Sequence, residues 1–344
     1  MKAPDFPGAI AGPVRMADVA RMAGVARVTV SRVLSNPQSV APTTRAAVQD
    51  AIARLGYVPN LNAGTLASSR SRIVGCIVPT LSNAWFAETI DGLSEVLSAA
   101  GYQLLLGQSG YDPGSEERMV ETFLGRRVDA MVLTGADRPD AVRDRLQAAG
   151  IPVVETWDLG LEPLDMAVGF SNHGTGEAAA EHLLARGCRH PAYIGADEPR
   201  ADKRLAGFAA AMARHDLAPV VALAGRPPTS FEGGAQALRE LMARDPEIDG
   251  IFCSNDIIAA AVLFECSRQG WAVPQQIAVV GFSDQPLSAA TVPSLTTVQV
   301  RSHDMGAEAG RMLLRRLGSV ANRSLGGEHR IADMGFRVIA RESA

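Results

Sequence analysis

Val19, Ala20 and Ala23 recur at helical spacing near the start of the chain, and Gly24, which tolerates positive φ, then breaks the pattern. Val25, Val30, Val33 and Leu34 form the apolar side of a second short helix, while Arg27, Val28, Ser31 and Arg32 point the other way. A third amphipathic helix begins at Pro42 and Thr43, with Ala47, Val48, Ala51, Ile52 and Leu55 as its stripe. Gly56-Tyr-Val-Pro-Asn60 ends it. Two short helices joined by a glycine-containing turn are the unit that sets a second helix into the DNA major groove. The spacing predicts a helix-turn-helix domain over residues 14–60.

From Ile73 the period changes. Ile73–Val78, Tyr102–Leu106, Ala130–Leu133 and Pro152–Val154 are near-continuous apolar runs, as expected of buried parallel strands, with amphipathic helical stretches between them. A second series follows at Met166–Phe170, Ala192–Gly195, Val220–Leu223, Gly250–Cys253 and Ile277–Gly281. Strand–helix alternation twice over predicts two doubly wound α/β lobes, with a ligand cleft between them beyond the carboxyl ends of the strands. The expected organisation is a flexible extension over 1–13, the helix-turn-helix domain over 14–60, a hinge and linker over 61–72, and a two-lobe body over 73–344.

Charge sharpens this division. Residues 1–70 carry eight bases against three acids, net +5, whereas the remainder carries 25 against 34, net −9. The overall −4 thus conceals a basic head on an acidic body; a basic head suits phosphate contact, and an acidic body discourages other poses on DNA. At 344 residues the chain is too long for one core. No apolar run approaches the roughly 20 residues a bilayer span needs, and Met1–Pro13 lacks the pattern of a secretory signal. Cys76, Cys188, Cys253 and Cys266 are scattered, which suggests reduced thiols and a cytoplasmic setting.

Taken together, the motifs resemble the LacI/GalR family of bacterial transcription regulators over about residues 14–343. The markers are Asp18-Val-Ala, Gly24-Val, Thr29-Val-Ser-Arg32-Val-Leu, Gly56-Tyr-Val-Pro-Asn60 and Val78-Pro-Thr-Leu-Ser-Asn83-Ala-Trp-Phe86. Ser254-Asn255-Asp256, Gly281-Phe-Ser-Asp284 and Pro293-Ser-Leu-Thr-Thr297 add to them. Tyr102-Gln, Val153-Val-Glu155-Thr-Trp-Asp158 and Ala167-Val-Gly-Phe-Ser-Asn172 are most similar to the gluconate-operon repressors of that family.

The resemblance implies a two-lobe body of periplasmic-binding-protein type and a recognition helix that presents Arg27, Val28 and Arg32 to the groove. Arginine can bond guanine O6 and N7 bidentately, and valine can touch a thymine methyl. Thr29 and Ser31 are expected on phosphates. Ala26 departs from the Ser or Thr common before this helix, and a missing cap costs on the order of 1 kcal/mol. Asn60 to Ser69 matches the family's hinge helix, with Leu66 as the minor-groove wedge. So short a helix, further weakened by Gly64, is expected to fold only on DNA. A homodimer on palindromic double-stranded operator DNA is implied, with no tetramerising heptads after Arg337.

For the effector, the resemblance implies that Asn83, Trp85 and Phe86 open the first helix of lobe one and face the cleft, where aromatic faces pack on a sugar's C–H side. Arg204 stands at the family's ligand-binding arginine, and a forked guanidinium suits the carboxylate of a sugar acid such as gluconate. Asn255 is a further expected contact, with Asp256 left to cap the next helix. Ser283 replaces a common Asp, so Asp284 is expected to compensate; Glu155 and Asp158 complete the set. No cofactor, metal or catalytic residue is expected, and a different sugar or a nucleoside is the alternative ligand.

Two other functions compete. Gly174-Thr-Gly-Glu-Ala-Ala179 after a strand, with Asp197 beyond the next, mimics a dinucleotide fingerprint of a nicotinamide-dependent oxidoreductase. However, Ser171-Asn-His173 separates strand from glycine, so these glycines read better as sites of close helix packing. A periplasmic-type sugar-binding protein shares the two-lobe body, and the basic head argues against it. His182 and His190 have no metal-ligand spacing, and Glu116-Glu117 reads as a solvated first turn of a helix.

Overall fold

The computed structural model describes residues 14–58, 70–160, 162–318 and 330–344. The extension at 1–13, Asn60 and the wedge Leu66 lie outside the described residues. The chain divides into two compact units, residues 1–71 and residues 72–344.

In the first unit, α1 (Met16–Met22), α2 (Arg27–Ser35) and α3 (Pro42–Leu55) pack around Val19, Val30, Val33, Val48 and Ala51. Asp18 accepts a hydrogen bond from the Arg15 backbone N–H at 2.9 Å, which satisfies a donor at the α1 start. Gly24 turns the chain with φ +64°. Ala26 caps α2 without a side-chain bond, as the sequence indicated. The apolar face of α2 is narrower than its pattern suggested. Val25 lies in the turn, and Leu34, on the side away from the core, is exposed. Ala47, expected on the α3 stripe, is likewise exposed.

The second unit holds two six-stranded sheets. The first contains β1 (Ile73–Val78), β2 (Gln103–Gln108), β3 (Ala130–Thr134), β4 (Val153–Thr156), β5 (Met166–Gly169) and β11 (Ile331–Asp333), in the order β11-β5-β4-β3-β1-β2 with every pair parallel. The second contains β6 (Pro191–Gly195), β7 (Val220–Leu223), β8 (Gly250–Cys253), β9 (Ala278–Ser283), β10 (Thr296–Gln299) and β12 (Arg337–Ile339), in the order β12-β10-β9-β8-β6-β7. Only β12 runs antiparallel there. On the first sheet lie α4 (Ala84–Ala99), α5 (Pro113–Gly125), α6 (Asp140–Ala149) and α12 (Ser302–Gly318). The second carries α7 (Asn172–Ala185), α8 (Pro199–Ala213), α9 (Phe231–Arg244), α10 (Asp256–Gln269) and α11 (Pro286–Ala290).

Two expectations are corrected. Met166–Phe170 was expected to open the second series, yet β5 completes the first sheet beside β4. Tyr102–Leu106 was expected to be buried, yet β2 is an edge strand in which no residue is fully buried. Edge position explains this, since one flank and part of one face meet solvent.

The chain crosses between lobes three times, from β5 to α7, from β10 to α12 and from β11 to β12. Near these crossings a row of rings links the lobes: Phe86 to Trp157 at 5.3 Å, Trp157 to Phe170 at 5.9 Å, and Phe170 to Phe282 at 5.8 Å. In the second lobe, Asp256 is fully buried and accepts from Thr297 Oγ1 at 2.6 Å, Gln285 N at 2.8 Å and Ser288 Oγ at 2.9 Å. It knits α10 to β10 and α11.

The glycines that mimicked a dinucleotide fingerprint lie inside α7, not in a strand–helix turn. A Cβ at Gly176 would strike the Arg204 carbonyl on α8, and one at Gly207 would strike the His173 carbonyl on α7. Their bareness lets two helix backbones meet. Gly176→Ala is therefore expected to lower stability by about 1–3 kcal/mol through forced separation of α7 and α8. Urea denaturation would measure it, and an unchanged midpoint would contradict this packing.

Candidate functional site

A cavity of about 180 Å³ opens between the lobes. Pro79, Ser109, Tyr111, Thr134 and Arg138 line it from the carboxyl ends of β1, β2 and β3, and Glu198, Pro199 and Arg200 from the start of α8. This is the crevice where doubly wound folds hold ligands. None of the eight residues expected to bind effector lines this cavity, although Asn83, Phe86, Glu155 and Arg204 each contact a residue that does.

The aromatic expectation changes most. Phe86 is buried and packs edge-on against Trp157, and the Arg200 guanidinium sits 5.5 Å from its ring centroid. Its face is therefore occupied by a cation instead of lying open. Trp85 is buried in the core beside it, 5.8 Å from Phe86. The ring on the cavity wall is Tyr111, whose hydroxyl accepts from Asn83 Nδ2 at 3.5 Å. Burial pushes the Tyr111 phenol up to about 12, so it stays protonated.

Arg204 is 4% exposed and tightly held. Its Nη1 donates to Asn172 Oδ1 at 2.6 Å, its Nη2 to Glu198 at 3.2 Å, and its plane lies 4.4 Å from the Phe282 ring centroid. Asn172 in turn donates to Asp158 Oδ1 at 2.9 Å, so Arg204 and Asp158 share one network. Asp158 also pairs with Lys203 at 2.5 Å, and Lys203 reaches Asp137 at 2.7 Å. Both carboxylates belong to the first lobe and the ammonium to the second.

Glu155 is 1% exposed and pairs with Arg138, which also holds Glu116 at 3.1 Å and the Gly135 carbonyl at 2.8 Å. Glu116 is thus no solvated first-turn charge: it turns toward the cavity and lines it. Burial raises Glu155 above the ordinary carboxylate range, and Arg138 only partly offsets this. For Glu198 burial also pushes upward, but Arg200 and Arg204 together prevail and hold it low.

Asn255 and Asp284 are committed elsewhere. Asn255, not Asp256, caps α10, accepting from Ile258 N at 3.0 Å and donating to Thr229 at 3.1 Å. Asp284 accepts from Arg341 at 2.7 Å and Gln299 at 2.6 Å, a clamp on β10. Sequence reasoning missed Tyr111, Arg138, Asn172, Glu198, Arg200 and Lys203. For Arg200 a signal existed: it precedes Arg204 by one helical turn and so shares its face.

On α2, Arg27, Val28, Ser31 and Arg32 are exposed together on one face, and Thr29 is half-buried beside them. Among the described residues all four cysteines are free and buried, and no helix is long and apolar enough to cross a membrane. His190, Asp245 and Glu247 bring ligand-type atoms within 4.8 Å at the surface, a grouping their spacing did not reveal.

Residues 15–60 match the pattern described as bacterial regulatory proteins, lacI family, and residues 180–344 match a periplasmic binding protein-like domain. The HTH-type transcriptional regulator GntR of Pseudomonas aeruginosa is 39% identical over 95% of this chain and 94% of its own length. The chain belongs to the LacI family. GntR of Escherichia coli K12 is 35% identical over 87% of this chain and 91% of that relative. A LacI-family regulator from Silicibacter pomeroyi superposes with a TM-score of 0.89 at 31% identity, covering 96% of this chain and 99% of its own. As a LacI-family member the chain is a DNA-binding transcriptional regulator with a two-lobe periplasmic-binding-protein fold, not an enzyme. The oxidoreductase reading is set aside.

The Arg138–Glu155 pair yields a test. Arg138→Ala leaves an uncompensated buried carboxylate, which is expected to cost about 3 kcal/mol near neutral pH. Glu155 already lies above its ordinary value of 4.5 and would rise further, so its charge is most costly at high pH. The deficit should shrink as pH falls through the folded value, because the folded state then binds the proton. Urea melts of both chains at about pH 8 and about pH 5.5 measure this; an equal deficit at both would count against it.

Proposed function

We propose that this LacI-family regulator represses carbohydrate or sugar-acid catabolic genes, binding palindromic operator DNA as a homodimer in the cytoplasm and answering to a gluconate-like ligand in the inter-lobe cavity. The observation that carries the ligand class is Arg200, 8% exposed on the cavity wall, whose Nη1 is buried with no hydrogen-bond partner among the described residues. A buried donor on a guanidinium favours an anionic acceptor. Arg204, one turn further on, adds to the positive field. Ser109 and Thr134 offer hydroxyl-bonding groups beside it. The motifs similar to gluconate-operon repressors point to the same class.

For DNA, the exposed Arg27, Val28, Ser31 and Arg32 supply base and phosphate contacts from one helix face, with Thr29 at its border. Asn60 and Leu66 enter as hinge contacts on the family resemblance. Cleft occupancy would act by changing the separation of paired hinges, and a coupling of about 1–3 kcal/mol is enough for a useful response.

Fluorescence anisotropy on a library of palindromic duplexes, with random DNA as competitor, tests the whole reading. Arg27→Ala should flatten preference at one base pair per half-site, a loss of about 1–3 kcal/mol of discrimination. Gluconate should shift operator affinity of the parent chain. Absence of palindrome preference with and without sugar acids, sugars and nucleosides would remove the proposal.

A further inference from the structure

Glu198 occupies an unusual place beside the cavity. Its carboxylate accepts from Arg200 Nη2 at 2.6 Å and from Arg204 Nη2 at 3.2 Å, so one anion serves two buried cations. The trio keeps a formal charge of +1, and Arg200 Nη1 and Arg204 Nε are both buried without a partner among the described residues. Glu198 and Arg200 both line the cavity, so an anion already sits where an incoming carboxylate would bind.

Glu198 is also the residue preceding α8, yet its side chain makes no capping bond there. The start of a helix carries unpaired N–H groups and a partial positive charge. A displaced Glu198 carboxylate therefore has an alternative partner within its own reach and need not be left unpaired.

We infer that Glu198 is a built-in pseudo-ligand: it holds the hydrogen-bonding edges of Arg200 and Arg204 in the unliganded protein, and the effector's carboxylate competes with it for Arg200. This rests on the sugar-acid reading above. A neutral sugar cannot replace the carboxylate on a buried guanidinium, because doing so would leave the cation without a counter-ion. Glu198 thus acts as a charge filter, rejecting uncharged sugars that would otherwise fit the same volume. It also sets the affinity for acids below what the arginine pair could give.

Isothermal titration of the full chain and of Glu198→Gln, each with gluconate and with glucose, tests this. The amide keeps the shape and removes the competing charge. Gluconate should bind the variant roughly tenfold tighter than the parent, and the rejection of glucose should relax because the charge it cannot replace is gone. Gluconate binding that is equal or weaker in Glu198→Gln overturns the pseudo-ligand while leaving the sugar-acid reading in place. No gluconate binding by either chain overturns both. Should Glu198→Gln fail to fold, as shown by its thermal melt, Glu198→Asp decides instead. Its shorter arm withdraws the charge from Arg200, so gluconate should again tighten, and unchanged or weaker binding rejects the proposal.

Discussion

A guanidinium removed from water must find an anion, because the cost of an unpaired buried charge exceeds the stabilisation of most single contacts. Three arginines lie at or behind the cleft of this protein, and the anions that neutralise them come from different elements. Arg138 gathers Glu155 from β4 and Glu116 from α5. Arg204 gathers Glu198 from the position just before its own helix and, through Asn172, reaches Asp158 after β4. Charge neutralisation therefore fixes where the cavity walls stand, and the charged residues that could receive a ligand already belong to networks. Binding here means exchanging one set of partners for another.

The same requirement ties the lobes together. Lys203 on α8 meets Asp137 and Asp158 of the opposite lobe, and Arg200 stacks over Phe86 of α4. Behind them the ring row from Phe86 to Phe282 supplies an apolar floor. Low local polarity strengthens the buried pairs of Glu198 with Arg200 and Arg204. Asp256 performs a comparable task within the second lobe using neutral donors, without a cation.

Much of the architecture was legible in the sequence, because buried parallel strands write themselves as unbroken apolar runs. β1, β3, β6, β8 and β9 fall where such runs predict them. The terminal strands β11 and β12 escaped, being three residues each, half exposed and dependent on partners far away in the chain. Assignment of β5 to a lobe failed for a related reason: local pattern says that a strand exists, whereas its sheet is chosen by long-range pairing. At the site, Arg204 was found through its motif, but its counter-ion Glu198 and its neighbour Arg200 were not. Arg200 could have been read from Arg204 one turn on, but Glu198 precedes the helix, and no helical spacing reveals that its side chain turns inward. The open aromatic face expected at Phe86 failed likewise, since the cation that covers it comes from 114 positions further along.

The triple crossing between β5 and α7, β10 and α12, and β11 and β12 has a mechanical consequence. Bodies joined by three short tethers cannot slide apart or shear freely, so translation is stiff and torsion about the tethers becomes the soft coordinate. A small swing at the cleft is then magnified at whatever lies furthest from that axis, as a door's edge travels further than its hinge side.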